Sequence, residues 1–285
     1  ELFAAPSGSS ATRHAYFISP DGNDETNSGA RESPLATVRG ALEKYKNHHG
    51  NVYQSITIFH EPGIYLWGEG DSWHSVPTNE GLGWLTLCPA PGVSRDQVVY
   101  NDWATHNGRV RSESIHIKGI TLDRLDRWKL LSSSVSSWYP RVWLDDCYCD
   151  GRDRFVAAIC AGSYSGGQYF TDTTIRNVRD GVVRARLNRG LEIEGIGADT
   201  FSDSECTVNC VVDDVYRGDT GAHPDMIQIY GSSGPRENQV YYGIKATRMD
   251  CACFRVQNAR NSDGTMAGIR DVAFVNIFFE QGVRE

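Results

Sequence analysis

The feature that most constrains this chain is a recurring unit: a short alternating run, then Gly, Asp or Asn, then an apolar residue. It occurs at 115–120, 142–147, 173–178, 205–210, 239–244 and 272–277. The fifth position of the unit is taken by Gly119, Asp146, Asn177, Asn209, Gly243 and Asn276. These recur at intervals of roughly 30 residues, a period that marks a solenoid, in which each unit is one rung that buries its apolar face only by stacking on its neighbours. Gly, Asn and Asp tolerate the left-handed backbone needed where a strand bends. The three asparagines, Asn177, Asn209 and Asn276, are therefore expected at equivalent bends. The residue after each bend (Ile120, Cys147, Val178, Cys210, Ile244 and Ile277) is expected to point inward. A further match at 191–196 falls inside one interval and leaves room there for two short rungs.

The chain has 285 residues, 40% hydrophobic and 22% charged, which is enough apolar material for a sizeable core. No Pro/Gly/Ser-rich linker divides it, so one domain over 1–285 is expected. No run approaches the roughly 18 to 20 apolar residues of a membrane helix, and no basic-then-apolar leader opens the chain. A soluble protein without a membrane partner is expected. A net charge of -8 argues against nucleic-acid binding, which relies on clustered Lys and Arg. The same charge repels acidic sugars, so an anionic glycan would need local arginines or a bound cation. Eight cysteines raise the question of zinc. Their close spacings, C-x-C and C-x3-C, have no histidine at finger-like distance, and Cys147 and Cys210 fall on inward positions, which favours buried thiols or an occasional disulfide over reactive thiols.

Residues 1–15 are small and polar for most of their length and are expected to be flexible. The segment 16–24 is a short strand entering a Pro20-Asp21-Gly22 turn. A helix is predicted over 33–46, with Ser33 as N-cap, Pro34 at its first position, and Leu35, Val38, Leu42 and Tyr45 at helical spacing. This opening, together with the rungs from Ile56 to Gln281, resembles the right-handed parallel β-helix superfamily of pectate lyases, polygalacturonases, alginate-modifying enzymes and phage tailspikes. The resemblance implies an all-β, right-handed parallel β-helix closed at its start by the helix. It also implies a secreted or periplasmic monomer that handles a polysaccharide. Of the polygalacturonase elements, an Asp-Asp pair is present as Asp213-Asp214, whereas Gly-His-Gly and Arg-Ile-Lys are absent. Function must therefore be read from a site rather than from the fold.

Asp180, Asp199 and Asp225 each stand one variable residue before an apolar strand, and each is separated from the next by the length of one short rung. On consecutive rungs they would form a column with the strand spacing of about 4.8 Å. Carboxylates so arranged repel. The column either binds a cation, with calcium the candidate, keeps one member protonated, or ties each carboxylate to turn amides. His223 is joined to Asp225 across Pro224, and Gln228 follows on the same strand, so acid, base and hydrogen-bonding groups gather there. Arg184 and Arg186 leave the Asp180 strand and are expected to meet uronate carboxylates. Lys245, Arg248 and Arg255 belong to the rung after His223, and Lys245 and Arg248 are expected to join Asp199, Asp225 and His223 in catalysis. Trp128, Trp138 and Tyr139, in the insertion 123–140, are candidates for a groove wall that stacks on sugar rings. Trp143, inside a strand, reads as a packing residue. These features predict a polysaccharide lyase acting by β-elimination on a uronate chain; a hydrolase with paired carboxylates and a non-catalytic glycan-binding or adhesion coil are the alternatives.

Overall fold

The computed structural model describes residues 14–49, 55–66, 84–101, 114–123, 141–152, 158–159, 167–216, 224–230, 237–257, 265 and 268–280. Left-handed bends organise the coil. Gly119, Asp146, Asn209, Gly243 and Asn276 have φ of 60°, 51°, 52°, 64° and 52°. Asp172 and Gly190, at 49° and 62°, complete the same column. Each bend through Gly243 donates its backbone N–H to the carbonyl just before the next bend, from Gly119 N to Asp145 O at 2.9 Å through Gly243 N to Val275 O at 3.0 Å. The bends are unevenly spaced along the chain. Those at Asp172, Gly190 and Asn209 enclose two short rungs, which fill the interval that the sequence leaves open, whereas the rungs from Asn209 to Gly243 and from Gly243 to Asn276 are long.

Each bend joins two parallel sheets. The first runs in ten strands from His14–Ile18 to Val272–Val275, and the second in nine from Gly63–Leu66 to Phe278–Phe279. A third comprises Ala158–Ile159, Asp180–Val183, Phe201–Ser202, Asp225–Tyr230 and Ala252–Gln257. The chain visits first, second and third sheet in turn, as from Gln168–Thr171 to Thr174–Val178, Asp180–Val183 and back to Leu187–Arg189. This is the right-handed parallel β-helix that the sequence predicts.

Asn177 is the exception to the predicted ladder. It does have a left-handed backbone, φ 53°, but it lies within the second-sheet strand Thr174–Val178, level with Gly195, Asp214 and Arg248 on the following rungs. More than one corner of the coil takes the same left-handed backbone, so the local signature does not say which corner it marks. The predicted inward residues Ile120, Cys147, Val178, Cys210 and Ile244 are buried, although Val178 stacks with Ile196, Val215 and Met249 rather than with the others. Ile277, on the last rung, is half-buried. The buried apolar residues form one continuous cluster from Tyr16 to Met249. Each inward Ile, Leu or Val stabilises the stack by roughly 1.5–3 kcal/mol.

The helix starts later than predicted. Residues 33–35 are extended, with Leu35 bridging to Ile18 and exchanging backbone hydrogen bonds with Phe17 and Ser19 at 2.9 and 2.8 Å. Helix α1 is Val38–His49. Thr37, not Ser33, caps it: the Thr37 hydroxyl accepts the Gly40 N–H at 2.9 Å, and Asp24 in turn accepts the Ala36 and Thr37 amides at 2.8 and 3.1 Å. Val38, Ala41 and Tyr45 are buried beneath the helix, on the open side of the first rung. Among the described residues no helix is long and apolar enough to cross a membrane.

Candidate functional site

The third sheet carries the candidate site. Val182 lies opposite Phe201, Phe201 opposite Ile227 and Ile227 opposite Phe254. Asp180, Asp199 and Asp225 each stand two residues before that apolar column and therefore share one level on consecutive rungs. Backbone pairing continues through them, with Gly181 N bonding Asp199 O at 2.8 Å and Thr200 N bonding Asp225 O at 2.9 Å. The column inferred from residue counting exists.

Its members differ in environment. Asp199 has a buried carboxylate oxygen, Oδ1, without a hydrogen-bond partner. Burial first, then the neighbouring Asp225 and Asp180 carboxylates, push Asp199 up to about 7, against a hydrogen bond from the Asp225 backbone and the charge of Arg255. Burial also raises Asp180, opposed by Arg179, whose Nε lies 3.5 Å away. The Asp225 side chain is only 3% exposed and is engaged on both flanks: Arg255 Nη1 approaches its Oδ2 to 3.7 Å, and Gln228 Nε2 donates to the same oxygen at 3.3 Å. Ser202 Oγ donates to Gln228 Oε1 at 3.4 Å, so Ser202, Gln228 and Arg255 form a polar row beside the carboxylates. A carboxyl that exchanges its proton near neutrality, next to a carboxylate paired with a guanidinium, is the environmental split used for acid–base work.

The structure brings Asp180, Asp199, Asp225 and Gln228 together, and it separates other predicted residues from them. Lys245 and Arg248 lie on the second-sheet strand Lys245–Met249, on another face of the coil. Arg248 is bonded to Asp213 through Nε at 2.8 Å and Nη2 at 2.5 Å, and sits 3.8 Å from Glu194. Counting rungs gives a level along the axis but not which of three sheets a residue occupies. Arg184 stands at the left-handed bend after Asp180–Val183, with Nε 3.9 Å from Asp203, and Arg186 Nε is 3.9 Å from Glu205. His223, Trp128, Trp138 and Tyr139 lie outside the described residues. Among the described residues Arg255 reaches Asp225. The sequence signal for it is its place three residues beyond Ala252, level with Gln228.

Calcium is the cation expected for the aspartate column; among the described residues no three His, Cys, Asp or Glu side chains form a group placed to hold a metal ion. Calcium takes six to eight oxygens, and Asp225 already spends one of its two on Arg255 and Gln228. The described cysteines are free thiols, with Cys147, Cys149 and Cys210 buried, and burial pushes Cys147 and Cys210 up to about 12. On the outer face of the first sheet Trp143 stacks on His116, centroids 4.4 Å apart and planes 17° from parallel. Its Nε1 donates to Thr171 Oγ1 at 2.8 Å, and that hydroxyl donates to Asp145 at 2.6 Å. His116, whose Nε2 lies 3.7 Å from Asp145, and then the hydroxyl of Thr171 and the ammonium of Lys118, hold Asp145 well below the usual carboxylate range. The ring faces meet each other along the coil axis, so this is a packing ladder.

Sequence comparison finds no protein-family model and no curated protein that matches this chain. Among solved structures, the GH136 lacto-N-biosidase from Eubacterium ramulus aligns with a TM-score of 0.41 and 8% identity, covering 94% of this chain and 55% of that one. A rhamnogalacturonan lyase aligns at 0.32 and 15% identity, over 95% of this chain and 59% of the other. Pectate lyase Pel9A aligns at 0.35 and 11% identity, over 95% and 79%. The chain thus spans less than two thirds of the length of the first two.

Proposed function

We propose that this chain is a carbohydrate-active enzyme that cleaves a polysaccharide lying along the third sheet, with Asp199 and Asp225 as its acid–base pair. The observation that carries the reading is the geometry of the column: three aspartates at one level of consecutive rungs, Asp225 engaged by Arg255 and Gln228, and Asp199 left with an unpartnered buried oxygen. The column runs along the coil axis, the direction in which an extended polymer can follow the repeat. Asp199, protonated up to about pH 7, gives its proton to the glycosidic oxygen as the bond breaks. Asp225, beside Arg255, faces the positive charge that develops on the sugar. Adjacent rungs lie about 4.8 Å apart, short of the roughly 6.5–9.5 Å of a carboxyl pair that admits a water between them, which favours retention of configuration. No step is routed through a metal.

Elimination on a uronate chain is the second reading. Arg255 favours it, because its guanidinium, 39% exposed beside Asp225, is of the kind that meets a uronate carboxylate. One experiment separates the two. The protein is incubated with neutral and acidic polysaccharides, with and without a chelator, and products are followed by reducing ends and by ultraviolet absorbance. New reducing ends without absorbance, insensitive to chelator and lost in Asp199→Asn, are expected. Absorbing unsaturated ends would replace hydrolysis by elimination, and glycan binding without any product would overturn the enzymatic reading in favour of a binding coil.

A further inference from the structure

The polar row beside the aspartates contains a side chain whose role the acid–base pair leaves open. Gln228 stands three residues after Asp225 on the strand Asp225–Tyr230, level with Ser202 on one neighbouring strand and Arg255 on the other. Its amide is used at both ends: Nε2 donates to Asp225 Oδ2 at 3.3 Å, and Oε1 accepts the Ser202 hydroxyl at 3.4 Å. A carboxylate only accepts, so the amide turns its NH2 toward Asp225, and that leaves its oxygen for a donor. Ser202, buried on the preceding rung, supplies that donor. The orientation of the amide is thus set from both sides. Arg255 acts on the same carboxylate oxygen differently. Its Nη1 lies 3.7 Å from Oδ2, beyond hydrogen-bond length, while its Nη2 donates to Gln257 Oε1 at 3.1 Å. The guanidinium therefore supplies charge, and Gln228 supplies a direct N–H.

We infer that Gln228 is a positioning residue for the cleavage proposed above: held by Ser202, it fixes the plane of the Asp225 carboxylate against the sugar without itself binding the glycan. The inference rests on the reading of Asp199 and Asp225 as the acid–base pair. The last torsion of an aspartate is broad, so a charge 3.7 Å away leaves the carboxylate plane loosely defined, whereas an N–H bond is directional. Placement to within about 0.5 Å and about 10–20° decides the rate at a reacting group. An amide suits this task because it donates and accepts at once and stays neutral at every working pH. Both bonds are long, as catalytic hydrogen bonds often are before substrate arrives. In this arrangement Ser202 acts through Gln228, so losing its hydroxyl should have no effect once the amide is gone.

The test is a double-mutant cycle on the full chain, assayed with the polysaccharide from the panel above that the wild type cleaves. Gln228→Met keeps the length of the side chain and removes both polar ends. It should lower kcat at least about tenfold and leave KM within about twofold, because no contact to the sugar is lost. Ser202→Ala should lower kcat in the same way by a smaller factor, and Ser202→Thr, which keeps the hydroxyl, should restore it. The double variant should be no slower than Gln228→Met alone, since residues acting in one line are not additive. Ser202→Ala removes a single oxygen and keeps the result readable if Gln228→Met folds poorly. The row is also read without substrate: in protein carrying isotope-labelled glutamine, the Gln228 side-chain amide protons should shift in Ser202→Ala and in Asp225→Asn. A raised KM in Gln228→Met would make it a sugar contact and overturn the inference. Losses that add in the double variant, or an amide signal that ignores Asp225→Asn, would overturn it equally. A wild type that cleaves no polysaccharide would remove the proposed cleavage and this role with it, whatever the amide signals.

Discussion

Burial acts on Asp199 and on His60 in opposite senses within one pH window. Asp199 rises from the ordinary 3.8 to about 7, so between these values the folded state holds the extra proton and stability falls as pH rises. His60, fully buried with Nε2 2.7 Å from the Tyr100 hydroxyl, is lowered by burial from 6.5 to about 4, against backbone hydrogen bonds at Cys88 and Ile58. Between 6.5 and 4 the unfolded state binds the proton first, and stability falls as pH drops. The wild-type melting profile should therefore be shallow from pH 7 to 4.5. Asp199→Asn should fall on acidification through this range and His60→Gln should rise. Melts that run parallel in both variants would contradict these assignments. In the activity assay, Asp199→Asn should lower kcat at least about 100-fold while leaving the pH 7 melt no lower than wild type.

At the scale of the element, the bend between first and second sheets depends on backbone that few side chains accept. Gly243 has φ +64°, and a Cβ there would lie 2.6 Å from Asn209 Oδ1 on the preceding rung. Gly243→Val should cost about 1–3 kcal/mol, read from the denaturation midpoint. Gly92, at φ +87° with nothing within 4 Å of an added Cβ, is the control: Gly92→Ala bears the backbone term alone and should cost less. The strand–bend–apolar unit was legible in the sequence because both its parts are local. Asn177 shows the limit of that signal. Its left-handed backbone and following buried valine satisfy the same local rule, yet it turns a different corner, and the true bends Asp172 and Gly190 are spaced too closely for the period to find them.

At the scale of the whole molecule, α1 and 29–35 give the coil one closed end. Val38, Ala41 and Tyr45 are buried beneath the helix, and Ile56 and Ile58, on the next first-sheet strand, are buried in the core. Removing residues 1–49 would expose that strand as an open edge. The truncated protein should therefore aggregate and lose the cooperative melt. An unchanged melt at unchanged mass would show that the helix does not serve as a cap. The aspartate column lies far from this end, and Arg255 reaches it from the rung after Asp225.

What the sequence determined by itself was what is set within a few residues (strands of period two, bends at Gly, Asn and Asp, and inward Ile120, Cys147, Cys210 and Ile244) together with the shared level of Asp180, Asp199 and Asp225, read from the same aspartate-before-strand pattern on successive rungs. What the tertiary structure decided was register around the coil. It carried Lys245 and Arg248 to the second sheet and onto Asp213, brought Arg255 to Asp225, moved the helix start from Ser33 to Val38 by pairing Leu35 with Ile18, and buried His60 against Tyr100. The physical reason is the loops. Lengthening a loop costs only a fraction of a kcal/mol per doubling, so the short rung from Asp172 to Gly190 and the long one from Asn209 to Gly243 coexist in one stack, and distance along the chain does not report position around it.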